Sequence, residues 1–260
     1  MNEFIVKEDT QNILVLKINR PPDNFIKLPV LEQLRDEINS ITLHHDYDGV
    51  IMTSAIEGIF TSGHEVVDIA DGHNERKLRK TLGLVAEALL SLQRLHLPTL
   101  TLINGHCVGF GLELALATDF RIAVDQEINI GFPDVRLGTF PPFGGIYRLV
   151  RLIGETRARE LVLKGKLLTP RSALDSGLID ALAEEDSLLK EGIKMLKGLS
   201  RNAPLAMTAA KRSIVDSTLK DFMAVVREDI EDYATIVSSE DYVEGKAALQ
   251  EGRSPAYKKR

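Results

Sequence analysis

TLTLINGHCVGFGLELALATDFRIAV, residues 99–124, decides the fold. It opens on TLTLI, an apolar and threonine run of the kind buried on both faces of a parallel sheet. The chain then breaks at Asn104-Gly105, passes through Gly109-Phe110-Gly111, and continues as an apolar run that reads as a buried helix. FRIAV (120–124) follows as another strand. A strand, a glycine turn, a helix and a second strand form an α/β unit, in which helices cover a largely parallel sheet. Glycines at such a turn let the backbone bring its N–H groups close to a ligand, and the site favours developing negative charge.

One residue does not suit an apolar helix. Burying an ionised carboxylate such as Glu113 without partners costs several kcal/mol or forces it to take up a proton. Two readings are open. Glu113 is a first-turn acid favoured by the helix dipole and paired with an arginine such as Arg121, or it is a functional acid. Asp134, in INIGFPDVRLG, is by itself a turn or capping residue after a Gly-x-Pro turn. Taken with Glu113 it supplies a second carboxyl group for one crevice, as general acid–base chemistry requires. In GIFTSGHEVVDI (58–69), Ser62-Gly63-His64 turns from strand to helix and can present the His64 backbone N–H. That amide and the one of Phe110 would make a two-donor oxyanion hole, in which each donor contributes roughly 3 to 4 kcal/mol to the transition state.

Outward from this region the pattern continues. FIVKE (4–8) and NILVLKI (12–18) read as a hairpin-like start. PVLEQLRDEINSI carries Pro29 at a helix start with Leu31, Leu34 and Ile38 at helical spacing. GVIMTSA (49–55) is a buried strand, GIFTSGHEVVDI a turn feeding a short helix, and residues 75–95 an amphipathic helix stopped by HLP at 96–98. INIG (128–131) is a further short strand. From about residue 186 no strand signal returns and four amphipathic helical segments run to the end. The boundary falls near Ser200 to Pro204, giving an α/β core over 1–200 and a helical region over 201–260.

Composition bounds the function. The 260 residues are 44% hydrophobic and 27% charged, ordinary for a globular protein. A net charge of -6 argues against a general nucleic-acid surface, while a local basic patch can still hold a small polyanion. The single cysteine, Cys107, excludes an intrachain disulfide framework, agrees with a reducing compartment, and reads as a small buried apolar residue. MNEFIVKEDT has no secretory pattern and no stretch reaches the length of a membrane span, so a cytoplasmic protein without membrane contact is expected. A dinucleotide fingerprint would need glycine where Leu114 stands, and neither a P-loop nor a G-x-S-x-G elbow occurs. His64-Glu65-Val66-Val67-Asp68 mimics a zinc motif but lacks a third ligand at convincing spacing, so no metal is expected. His44 and His45 belong to a polar loop.

In order along the chain, LKINRPPDN, GVIMTSAIEGIFTSGHEVVDI, LPTLTLINGHCVGFGLELALATDFRIA, IGFPDVRLGTFPPFGGIYRLVRLIG, the A-x-x-x-G-L-I-D segment at 173–180 and SEDYVEGKAALQEGRSPAY resemble the crotonase family, the enoyl-CoA hydratase/isomerase superfamily. The resemblance covers nearly the whole chain. It implies a crotonase-like spiral of repeated β-β-α units with a C-terminal helical trimerisation region, trimers that often pair into hexamers, and an acyl-coenzyme A thioester as substrate. Coenzyme A is then part of the substrate and no cofactor is permanently bound.

The resemblance maps the oxyanion donors onto His64 and Phe110 and the catalytic acids onto Glu113 and Asp134. Ser62, Gly63, Gly109, Gly111, Pro133 and Pro142 fall in the segments that surround the thioester, and Lys27 in the adenine-side segment. Arg76, Lys77, Arg79 and Lys80 are a solvated helix face or a contact for coenzyme A phosphates, and Arg253 matches a basic position of the C-terminal motif. The chain departs from the family pattern at three places. Phe110 interrupts a run of small residues, Asp134 replaces the usual glutamate and shortens its reach by ~1.5 Å, and His64 and Pro142 replace smaller residues.

The expected activity is hydration or dehydration of a 2-enoyl-CoA. The alternatives are a double-bond isomerase with Asp134 as single proton shuttle, a decarboxylase or thioester hydrolase, and a non-catalytic acyl-CoA-binding protein.

Overall fold

The computed structural model describes residues 4–43, 47–63 and 75–258. The chain divides into two compact units, Met1–Lys194 and Met195–Arg260.

Among the described residues of the first unit, ten strands form two sheets. β1 (Ile5–Thr10), β2 (Ile13–Ile18), β3 (Gly49–Ser54), β5 (Thr99–Ile103), β7 (Phe120–Val124) and β10 (Ala181–Ala183) lie in that order in a six-stranded sheet. β4 (Gly58–Thr61), β6 (Gly105–Val108), β8 (Ile130–Gly131) and β9 (Leu167–Leu168) form the second. The chain alternates between them, β3 then β4, β5 then β6, β7 then β8, with helices between successive pairs, so each turn adds one strand to each sheet. This is the crotonase-like spiral of β-β-α units. Pairing is parallel except for β1 with β2 and β8 with β9.

The physical reasons are local. β1 and β2 are joined by Gln11-Asn12, both at positive φ (54° and 65°), the conformation that closes a two-residue hairpin in step with strand twist. β3 and β5 are buried at every position, as sheet strands covered on both faces must be. Helix Leu28–Leu43 buries Leu31, Leu34, Ile38 and Ile41, and helix Glu75–Gln93 buries Val85, Ala88, Leu89 and Leu92, each a single apolar stripe.

Between β5 and β6 the chain changes sheet at Asn104, whose amide nitrogen donates to the Ser54 and Ile56 carbonyls at 3.4 and 3.1 Å. A Cβ on Gly105 would stand 1.9 Å from the carbonyl carbon of Gly58. Two strand starts touch backbone to backbone there, which leaves room for hydrogen only.

The structure corrects several expectations. Residues 58–61, read as a turn, are β4, and the supposed glycine turn at 105–108 is β6. Four-residue strands beginning with glycine are too short to show a period, and β9 and β10 are shorter still. The buried helix is only Phe110–Ala115. It stops because Thr118 Oγ1 donates to the Ala115 carbonyl at 2.8 Å and the Arg121 guanidinium binds the carbonyls of Ala115 and Thr118 at 3.3 and 2.9 Å.

The second unit is helical. After the end of Leu188–Leu199 come Pro204–Asp216, Phe222–Ile236 and Glu240–Glu251. Asp221 and Ser239 cap the last two, each accepting an amide at 3.1 Å. Ser213 Oγ donates to Asp229 Oδ2 at 2.9 Å, tying Pro204–Asp216 to Phe222–Ile236. Arg253, matched above to the family's C-terminal motif, grips Glu244 and Glu251 within this unit. Among the described residues, no helix is long and apolar enough to cross a membrane.

Candidate active site

β6 ends at Val108, and Gly109 turns the chain at φ 54° and ψ -121° into helix Phe110–Ala115. The Gly109 N–H donates to the Gly131 carbonyl at 3.0 Å, and its own carbonyl accepts from Leu112 and Glu113. The whole helix is buried, so Glu113 has no access to solvent (0% exposed).

Glu113 is not held by Arg121. That guanidinium is spent on four carbonyls and on Asp180 at 3.5 Å. Glu113 Oε1 instead accepts the backbone N–H groups of Phe143 and Gly145 at 2.8 and 3.0 Å. Sequence reasoning missed these partners. The signal available was Gly144-Gly145 itself: a Cβ at 145 would meet Glu113 Cγ at 2.5 Å. Oε2 is buried without a hydrogen-bond partner among the described residues.

Asp134 begins the short 3₁₀ helix Asp134–Leu137 directly after Pro133, and is 5% exposed. Its Oδ2 is likewise buried and without a partner among the described residues. Its Oδ1 lies 3.3 Å from where a Cβ on Gly109 would stand. Glycine at 109 is therefore needed twice, for the positive φ and to admit the carboxylate. The structure brings Glu113 and Asp134 together: they flank the same turn, and the Asp134 charge acts on Glu113.

Burial pushes the Glu113 carboxyl up from 4.5 to about 7; the Gly145 and Phe143 amides pull it down, Asp134 pushes it up and Arg148 pulls it down. Burial also raises Asp134, partly offset by its own N–H. Two neighbouring carboxyls with raised proton affinity, each with one buried oxygen that has no hydrogen-bond partner among the described residues, are suited to giving and taking protons.

Around the pair, Phe110 and Phe143 meet edge to face at 5.6 Å. Phe110 opens the helix, fully buried. Gly111 packs against β4, where a Cβ would come within 2.6 Å of Thr61 Oγ1. Pro142 precedes Phe143 in the turn that grips Glu113.

At the end of β4, Gly63 donates to Thr61 Oγ1 at 3.2 Å, its carbonyl accepts from Ile26, and Ser62 donates to the Asp23 carbonyl. The strand end thus runs beside residues 23–26. Asn24, buried and at φ 50°, ties the same corner by donating to Ile18, Ser54 and Phe60, a role that no sequence motif signals.

Lys27 is drawn into a different place. With Phe4, Asn19, Arg20, Pro21, Pro29 and Val30 it lines a cleft of about 600 Å³ to which no carboxylate of the pair contributes. Arg76, Arg79 and Lys80 are exposed on the Glu75–Gln93 helix. His64, the expected second oxyanion donor, lies outside the described residues, as do the whole zinc-like segment and His44 and His45. Among the described residues no group of three His, Cys, Asp or Glu side chains gathers as a metal site requires. Cys107 is buried, and burial raises its thiol far above the usual range.

The model of the enoyl-CoA hydratase/isomerase family matches residues 8–260. The chain belongs to that family. As a member of the enoyl-CoA hydratase/isomerase family it is an enzyme of the crotonase superfamily. It is 29% identical to the 2,3-dehydroadipyl-CoA hydratase of Escherichia coli, over 100% of both chains. It is 28% identical to the mitochondrial methylglutaconyl-CoA hydratase of Mus musculus, over 97% of this chain and 82% of that one. A crystal structure of an enoyl-CoA hydratase from Bacillus anthracis superposes with a TM-score of 0.90 at 29% identity, covering 99% of this chain and 100% of the other.

Proposed function

We propose that this enzyme adds water to, and removes it from, a 2-enoyl-CoA thioester, with Glu113 and Asp134 as the catalytic acid–base pair. The observation that carries the reading is the pair of buried oxygens, Glu113 Oε2 and Asp134 Oδ2, both without a hydrogen-bond partner among the described residues, on two carboxyls close enough for the Asp134 charge to act on Glu113. A buried carboxyl oxygen without a partner is costly unless a ligand or proton occupies it in use.

In the proposed reaction the amides of His64 and Phe110 hold the thioester oxygen. Water attacks the β-carbon while Glu113 takes its proton, the double-bond electrons move onto the thioester as an enolate, and protonated Asp134 delivers a proton to the α-carbon. Bonds to hydroxyl and hydrogen form, one carbon–carbon π bond is lost, and the pair's proton count is restored. Ser62, Gly63, Gly109, Gly111, Pro133 and Pro142 surround the thioester in this reading, and Lys27 meets the coenzyme A moiety at its cleft.

The helical region 201–260 serves as the trimerisation surface of a homotrimer or hexamer. Supporting this are large apolar side chains left bare on the single chain, among them Phe222 (76% exposed) and Leu249 (83%). A cytoplasmic location accords with the lone cysteine.

The test is hydration of crotonyl-CoA and of longer or cyclic enoyl-CoAs, followed by loss of thioester-conjugated absorbance. Turnover by the wild type and loss of about 10²- to 10⁴-fold in Glu113→Gln is expected. If Glu113→Gln keeps near-normal turnover in moving a double bond, the enzyme is an isomerase using Asp134 alone. Absence of any turnover with acyl-CoA still bound makes it a binding protein.

A further inference from the structure

Neither sequence motif nor reaction accounts for Arg148, a half-buried cation on helix Gly145–Ile153. Its Nη1 donates to the Phe143 carbonyl at 2.9 Å and its Nε to Gln93 Oε1 at 2.9 Å. Phe143 is the residue whose N–H grips Glu113. One peptide unit away, a Cβ on Gly144 would meet the same Nη1 at 2.9 Å, so glycine there lets the guanidinium sit under the turn. Gln93 is the last residue of helix Glu75–Gln93.

We propose that Arg148, anchored by Gln93, is a positioning residue: it clamps the 143–145 turn whose two amides hold Glu113, and it supplies the positive charge that balances that carboxylate. The inference rests on Glu113 being a working acid. Among the described residues, two charged groups act on Glu113: Asp134 from the 3₁₀ helix and Arg148 from helix Gly145–Ile153. Among the described residues, the other side chains seen at the turn, Phe110, Phe132 and Phe143, carry no charge. Arg148 favours ionised Glu113, Asp134 opposes it, and the Glu113 charge in turn raises Arg148 against the effect of burial. An arginine suits this post because its fork serves a carbonyl and an amide oxygen at once while keeping its charge; lysine keeps the charge but not the fork.

The test measures Glu113 protonation directly, by infrared difference spectra of each protein minus the same protein carrying Glu113→Gln, between pH 4 and pH 10. In Arg148→Met the midpoint rises above that of wild type, and in Arg148→Lys it stays near that of wild type. Turnover falls about 10- to 100-fold in both, because the turn is no longer clamped, and the acid limb of kcat/KM moves upward only in Arg148→Met. Gln93→Leu, which leaves the charge in place but frees the guanidinium from its anchor, lowers kcat below wild type with a midpoint at or slightly above that of wild type, and serves if Arg148→Met does not fold. An unmoved midpoint in folded Arg148→Met, or full kcat together with an unmoved midpoint in Gln93→Leu, overturns the proposal. The infrared midpoint needs no substrate, so a wild type inactive on every enoyl-CoA would sink the proposed function while the positioning role still stands or falls on the spectra.

Discussion

Replacing Glu113 by glutamine should make the protein's stability respond to pH in a way that isolates one buried group. The folded carboxyl binds its proton with a midpoint near 7, against 4.5 in an exposed glutamate. A carboxyl raised in this way favours the fold while it is protonated. Its contribution is full below about pH 4.5 and is lost as the pH climbs through 7. Between pH 5 and pH 8 the two midpoints give a loss of about 2 to 3 kcal/mol from this residue.

Glutamine has nearly the same shape, accepts the same two amides through its oxygen, and does not titrate. Other groups, Asp134 included, contribute to both proteins, so the quantity to follow is the gap between variant and wild type. Denaturant titrations at pH 5, 6, 7 and 8 should show Glu113→Gln gaining about 2 to 3 kcal/mol on wild type across that range, equivalent to roughly 5 to 10 °C in Tm. A gap flat to within about 0.5 kcal/mol would mean that Glu113 is ionised in the fold throughout, and the picture of a carboxyl strained by burial would be wrong.

Removing the neighbouring charge gives a second check: in Asp134→Asn the Glu113 infrared midpoint should move below 7, because Asp134 pushes it up. The same variant should lose about 10²- to 10⁴-fold in crotonyl-CoA hydration. Gly145→Ala, whose methyl group would press on Glu113 Cγ at 2.5 Å, should cut turnover at least about 100-fold, read as kcat on the best thioester found. Arg121→Met should cost about 3 kcal/mol in denaturant unfolding, since it strips donors from carbonyls at the end of helix Phe110–Ala115 and leaves Asp180 without its cation.

The fold was legible wherever burial imposes a pattern. TLTLI and GVIMTS had to be covered on both faces, and the stripe through Leu31, Leu34 and Ile38 had to lie against something. The second sheet was hidden because GIFT and GHCV are too short to show alternation, and their glycines, which permit Gly58 and Gly105 to touch, look like turn residues when read alone. At the site, the oddity of Glu113 in an apolar run and of Asp134 after Pro133 was visible. What satisfies Glu113 was not. Its partners are backbone amides, which every residue has, so no letter of the sequence announces them. Arg121 was the natural guess from proximity along the chain, and it serves a helix end instead.

The grip on Glu113 has a consequence for how the enzyme comes into being. The amides that hold it arrive thirty and thirty-two residues after it in the chain. A nascent polypeptide that has finished the apolar helix carries the acid but has nothing to fasten it. Only when Phe143 and Gly145 have emerged and closed over it does the carboxyl acquire its setting, so proton-transfer competence itself would report that the spiral has been completed through its third turn.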